Sequence, residues 1–149
     1  MNMTTFDFGN GPVPAHHHPN GGGWVADTAT VADTAYVGPD AWVYGNAQVF
    51  GTAQVSDYAQ VSGNALVSDK ARVYGYAWVF DNAWVYGYAW VYGNALVFGN
   101  AQVSGYARVA GNAWDFDNAL VSGYAWVSND AKEDIIERNG KRYKLVEVE

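Results

Sequence analysis

The sequence predicts an all-β solenoid built from short parallel strands, and three observations predict it. Alanine returns at every sixth position from Ala29 to Ala131, eighteen times in register and without an insertion. Valine stands two residues after almost every one of them, from Val31 to Val127. Gly, Asp or Asn fills the end of most hexads, as in Ala95-Leu96-Val97-Phe98-Gly99-Asn100. A period of six does not suit an α-helix of about 3.6 residues per turn, and Gly-Asn in every hexad would break one. A fixed period dictates the whole fold and outranks local propensity.

Each hexad reads as a short strand plus a corner. Residues two apart on a strand share a face, so Ala and Val point one way and the two variable positions point the other. The Gly, Asp or Asn that follows supplies turn conformations, positive φ among them. Uniformity decides which face is inside. Stacked coils need one cross-section, which the repeated Ala and Val provide, whereas positions alternating among Gln, Arg, Trp, Leu and Ser cannot all be buried. The aromatic rings are therefore expected outside. One hexad has no core of its own; coils stacked about 4.8 Å apart bury continuous Ala and Val columns and satisfy the backbone by parallel pairing.

The hexads from Ala29 to Ala131, about two-thirds of the chain, resemble the hexapeptide repeat of left-handed parallel β-helices in the UDP-N-acetylglucosamine acyltransferase-like superfamily. The resemblance implies three hexads per triangular coil, hence about six coils stacked to roughly 29 Å, and a homotrimer as the common assembly. Independent support for three hexads per coil is the column Asn46, Asn64, Asn82, Asn100 and Asn118, spaced by eighteen. There Asn is expected to tolerate left-handed backbone and to form amide ladders. The segment His18–Val25, running into hexads such as Gly93-Asn94-Ala95-Leu96-Val97-Phe98-Gly99-Asn100-Ala101, is also similar to uncharacterised phage and gut-bacterial members. That likeness implies a phage or prophage type and no particular activity.

In chain order, residues 1–23 fall outside the period and carry Pro12, Pro14 and Pro19. They read as an irregular N-terminal cap in which Phe6, Phe8 and Trp24 cover the open end of the first coil. Residues 24–131 are the solenoid. Residues 132–149 read as a C-terminal hairpin, because Asn139-Gly140 separates two strand-like stretches. The hairpin is expected to cap the last coil or to pair with a neighbouring subunit, and its basic residues read as a solvated face. The whole is one domain.

Composition removes several classes of function. With 149 residues, 15 acidic against 8 basic side chains, a net charge of -7 and no cysteine, binding to duplex nucleic acid by phosphate neutralisation is not expected. Disulfide scaffolds, thiolate metal sites and cysteine nucleophiles are excluded. No apolar run approaches the roughly 20 residues that span a bilayer, and the N-terminus lacks the basic and apolar regions of a signal peptide. The expectation is a soluble chain that contacts no membrane, in the cytoplasm, or in a virion or host cytoplasm if phage-encoded.

Candidate sites follow from the eighteen-residue spacing. One face stacks Trp42 with Tyr44, Gln60 with Ser62, Trp78 with Phe80, Leu96 with Phe98 and Trp114 with Phe116, an apolar stripe larger than soluble monomers leave open. Trp42, Trp78, Phe80, Phe98, Trp114 and Phe116 are therefore read as an oligomer interface. A second face stacks Arg72, Trp90, Arg108 and Trp126, with Tyr74 and Tyr92 beside them. It is read as alternating cation–π contacts that could cradle a flat or anionic ligand such as a nucleotide or sugar. His16, His17 and His18 could bind a metal if subunits brought them to a threefold axis. Asp115 stands where the repeat demands valine; the solenoid is expected to open there, so that the carboxylate reaches water or a backbone donor. Asp57, Asp69, Asp81 and Asp117 hold the glycine position of the corner, where Asp is an ordinary turn residue.

The acyltransferase resemblance implies a histidine general base near a loop inserted between coils. The hexads contain no histidine and no interruption, so the reading is a structural or binding module without cofactor rather than a catalyst. A ligand-sequestering protein and an acyltransferase remain the alternatives.

Overall fold

The computed structural model describes residues 4–128, 133–138 and 141–146, which contain strands, turns and bends and no helix. From Trp24 to Val127 the chain winds as a parallel β-solenoid of about six coils. Each hexad contributes a two-residue strand that pairs with strands three hexads away: Trp78–Val79 lies between Gln60–Val61 and Leu96–Val97, all in register. Eighteen residues per coil give three parallel sheets, one per face. The first face runs from Trp24–Ala26 through Trp42–Val43, Gln60–Val61, Trp78–Val79 and Leu96–Val97 to Trp114–Asp115. The second runs from Thr30–Val31 to Leu120–Val121, and the third from Tyr36–Val37 to Trp126–Val127.

The inside is aliphatic, as uniformity requires. Every repeat Ala and Val from Val37 to Val109 is fully buried, in one continuous cluster reaching from Val25 to Val127. Between coils the backbone closes a ladder: Trp78 N donates to Ala95 O at 3.0 Å, Phe80 N to Val97 O at 2.9 Å and Asn82 N to Gly99 O at 2.8 Å. Burying one valine contributes roughly 1.5–3 kcal/mol, and each coil interacts only with its neighbours.

At every corner an alanine amide closes a turn, as Ala83 N does on Phe80 O at 3.3 Å. The residue after the outward side chain takes positive φ, such as 65° at Gly99 or 58° at Asp81. A Cβ at Gly99 would lie 2.7 Å from Asp117 N, so glycine here answers both the dihedral and the close approach of the next coil. Where Asp replaces Gly, its carboxylate ties two coils together. Asp57, Asp69 and Asp81 accept from the amides of Gly75, Gly87 and Gly99 at 3.1, 3.0 and 3.2 Å. Sequence reasoning placed these Asp in the turn but missed the tie. It also misplaced the Asn column: the left-handed residue is the Gly or Asp before each Asn, and no amide ladder joins the Asn side chains among the described residues. The Asn serve through their backbone amides, which bond to the next coil.

The N-terminal segment is regular, contrary to expectation. β1 (Thr5–Asp7) and β2 (Pro12–His17) form an antiparallel ribbon, and β2 pairs antiparallel with β3 (Trp24–Ala26), which extends the first face. Phe6 and Phe8 do not plug the open coil. Phe6 stacks on Trp24 at 4.6 Å and Phe8 on Tyr44 at 5.0 Å, both edge-on to Trp42, so they cover the outside of the first face. The reason is that the alternation of the ribbon puts Phe6 and Phe8 on the same side as the outward rings. The third face is closed instead by the loop from His18 to Gly23. Gly23 N donates to Val37 O and Val37 N to Asn20 O, while the buried His18 ring and the exposed Asn20 side chain both donate to Ala35 O. A Cβ at Gly21 would collide with Val37 O, which explains the glycine run.

At the other end Glu133–Arg138 and Lys141–Val146 pair as an antiparallel hairpin, with the first strand beside Leu120–Val121 and Trp126–Val127. The Asn139-Gly140 turn lies outside the described residues. Asp115 does not reach bulk water: it is 1% exposed, in the same inward column as Val97.

Candidate functional site

Two outer surfaces and one histidine cluster carry the chemistry. On the first face the ring columns line up as the spacing requires. Phe80, Phe98 and Phe116 stack in parallel, with centroids 4.9 and 5.5 Å apart. Trp114 leans edge-on against Phe98 at 6.1 Å. Trp78 and Trp114 are exposed, at 45% and 55%, and Phe116 at 40%, whereas Trp42 is half-buried under the ribbon. Of the six proposed interface residues, five therefore form one open patch and Trp42 is already covered from within the chain.

On the third face Arg72 and Arg108, one coil below and one above Trp90, place their guanidiniums 5.4 and 4.5 Å from its ring centre. Beside them Tyr74 and Tyr92 stack at 5.0 Å. Burial pushes the Tyr74 phenol above its ordinary value and Tyr92 adds to this, while Arg108 and Arg72 oppose it. The alternation ends at Arg108, because no cation–π contact reaches Trp126 among the described residues. Both faces of Trp90 are occupied by guanidiniums, so a flat ligand cannot stack on it without displacing one. An anion could bridge the two cations instead, since neither pairs with a carboxylate among the described residues.

Sequence reasoning missed the corner ladders. Tyr88, Tyr106 and Tyr124 stack at 4.9 and 5.1 Å, and Tyr58 stacks on Tyr76 at 5.2 Å. Lys70 caps the longer ladder, 5.4 Å from Tyr88. The eighteen-residue spacing of these tyrosines was the available signal. Lys70 and Tyr88 line a shallow open depression with Gly51, Thr52, Asp69 and Gly87.

The histidines diverge, because successive residues of β2 alternate sides. His16 Nδ1 contacts Asp27 Oδ1 at 2.7 Å, His17 donates to Gly22 O at 2.8 Å while lying over Trp24, and His18 donates to Ala35 O at 2.8 Å. No group of three metal-ligating side chains gathers among the described residues. Within one chain the three histidines fasten the N-terminal segment.

Among known families, the model of the YdcK beta solenoid repeat matches residues 59–75 and 89–105. No curated protein and no solved structure matches the chain. The two matched windows carry the same hexad phase as the coils around them and are similar to that repeat in architecture. Geometry and repeat together make this a β-solenoid protein.

Proposed function

We propose that the chain is a non-enzymatic structural and binding module that self-associates through the aromatic columns of its first face, in the phage or prophage setting that the His18–Val25 resemblance implies. The observation that carries the reading is the open row of Trp78, Trp114 and Phe116 in a sheet face whose outward positions hold no charged residue. Contiguous apolar surface of this kind marks an interaction site. The histidines support a non-catalytic role, since each is engaged in holding the N-terminal segment. Trp78→Ser combined with Trp114→Ser is expected to give a smaller mass in light scattering with unchanged β circular dichroism, because both side chains point outward. An unaltered mass would remove the proposal.

A second reading, capture of an anionic small molecule, is favoured by the Arg72, Trp90 and Arg108 sandwich. Thermal-shift screening against nucleotides, sugar phosphates and neutral sugars is expected to find stabilisation by the phosphorylated compounds only. That stabilisation should vanish in Arg72→Gln with Arg108→Gln. Absence of any shift would count against this reading.

A further inference from the structure

Resting on the self-association reading above, we propose that the first face pairs with a second copy of this chain in antiparallel orientation, in one register. The argument starts from relief. Outward positions of the leading column read Trp42, Gln60, Trp78, Leu96 and Trp114, so knobs alternate with smaller residues every coil. The exposed side chains are Trp78 and Trp114, while Leu96 between them and Gln60 on the other side of Trp78 are half-buried. The companion column reads Ser62, Phe80, Phe98 and Phe116.

The ribbon fixes which coils are free. Phe6 and Phe8 cover the first face at Trp24, Trp42 and Tyr44, leaving the four coils of Gln60, Trp78, Leu96 and Trp114. A twofold axis along the strands reverses the solenoid direction and sets each column against itself. Placed at the middle of the free patch, between the Trp78 and Leu96 coils, it brings Trp78 onto the partner subunit's Leu96 and Trp114 onto the partner subunit's Gln60. Phe116 meets the partner subunit's Ser62, and Phe80 meets the partner subunit's Phe98. Every knob then faces a smaller residue or a matching ring, the condition for close packing across a self-complementary interface.

Charge agrees with this register. In a chain of net charge -7 the patch itself carries none. Its rim carries Asp81 and Asp117 at one corner, which here oppose the partner subunit's Gly99 and Gly63. A slip of one coil would set Trp78 against itself and Asp81 against itself, or Asp81 against the partner subunit's Asp117. Parallel pairing, including any threefold arrangement about the solenoid axis, keeps all copies at equal height. The ribbons would then lie side by side. In the antiparallel pair each ribbon lies at a height beyond the partner subunit's Trp114–Asp115, the last strand of that sheet among the described residues. Four coils make a patch about 19 Å tall, which is small for an interface, so pairing is expected to depend on concentration.

The chain has no cysteine, which makes the test clean. Ser62→Cys with Phe116→Cys places thiols about 14 Å apart within a chain, three strand spacings, but opposite each other across the antiparallel pair. Bis-maleimidoethane is expected to link this variant into a covalent dimer and to leave Ser62→Cys alone unlinked. Leu96→Trp, which adds apolar area but fills the socket, is expected to raise the concentration needed for pairing about tenfold, with circular dichroism confirming the fold. Wild-type protein that associates while Ser62→Cys alone links, or Leu96→Trp that pairs as well as wild type, would overturn the register and orientation and leave self-association standing. Wild-type protein with the mass of one chain at every concentration would overturn both.

Discussion

Val79→Asp is expected to unfold the middle of the solenoid, lowering stability by about 4 kcal/mol or more. Val79 is fully buried, between Val61 and Val97 in one inward column. A carboxylate there would lie among methyl groups on all sides, with the backbone polar groups of its strand already used in the ladder. Because coils couple only to neighbours, the loss should appear in denaturant titration as a lowered midpoint and a broader transition. Val79→Ala, which removes volume without adding charge, should cost only about 2 kcal/mol. Equal costs for the two would contradict the dry interior. Asp115, in the same column, is the one carboxylate the repeat carries inward, in the last strand of its sheet among the described residues.

Gly99→Val should be nearly as damaging, at about 3 kcal/mol, for a reason unrelated to burial of side chains. The position has a φ of 65° and a would-be Cβ 2.7 Å from Asp117 N. A β-branched residue is strained in that backbone region, and relief would require pushing two coils apart. The interior is untouched, so thermal melting of Gly99→Val isolates the contribution of corner geometry. A melting temperature equal to wild type would show that the corners do not set the coil spacing.

The period made the architecture legible because a solenoid repeats one physical problem in each hexad. Ala and Val identified the inside, and the eighteen-residue columns identified which outward residues meet. The Phe80, Phe98 and Phe116 stack and the Arg72, Trp90 and Arg108 sandwich followed from spacing alone. What did not follow was anything aperiodic. The destination of Phe6 and Phe8 depends on how β1 and β2 fold back, which no repeat encodes. The fate of Asp115 depends on its position in the last strand of its sheet. The Asn column misled because uniformity was credited to the side chain, whereas the demanding dihedral falls one residue earlier. The Tyr88, Tyr106 and Tyr124 ladder is periodic and so legible, because a corner that sets a turn is also a surface on which rings eighteen residues apart can stack.

The loop from His18 to Gly23 has a consequence beyond closing one face. Identical rungs stacked in register have no internal reason to stop, and a bare terminal rung is a template on which another molecule could polymerise into a fibril. By occupying Val37 N with Asn20 O and Val37 O with Gly23 N, and by turning the adjoining strand antiparallel in the ribbon, the chain presents an incoming rung on these two faces with the wrong polarity and filled hydrogen-bonding groups. Three glycines and a buried histidine thus oppose amyloid-like propagation on the third face, as the ribbon does on the first, whereas Thr30–Val31 ends the second sheet as an edge among the described residues.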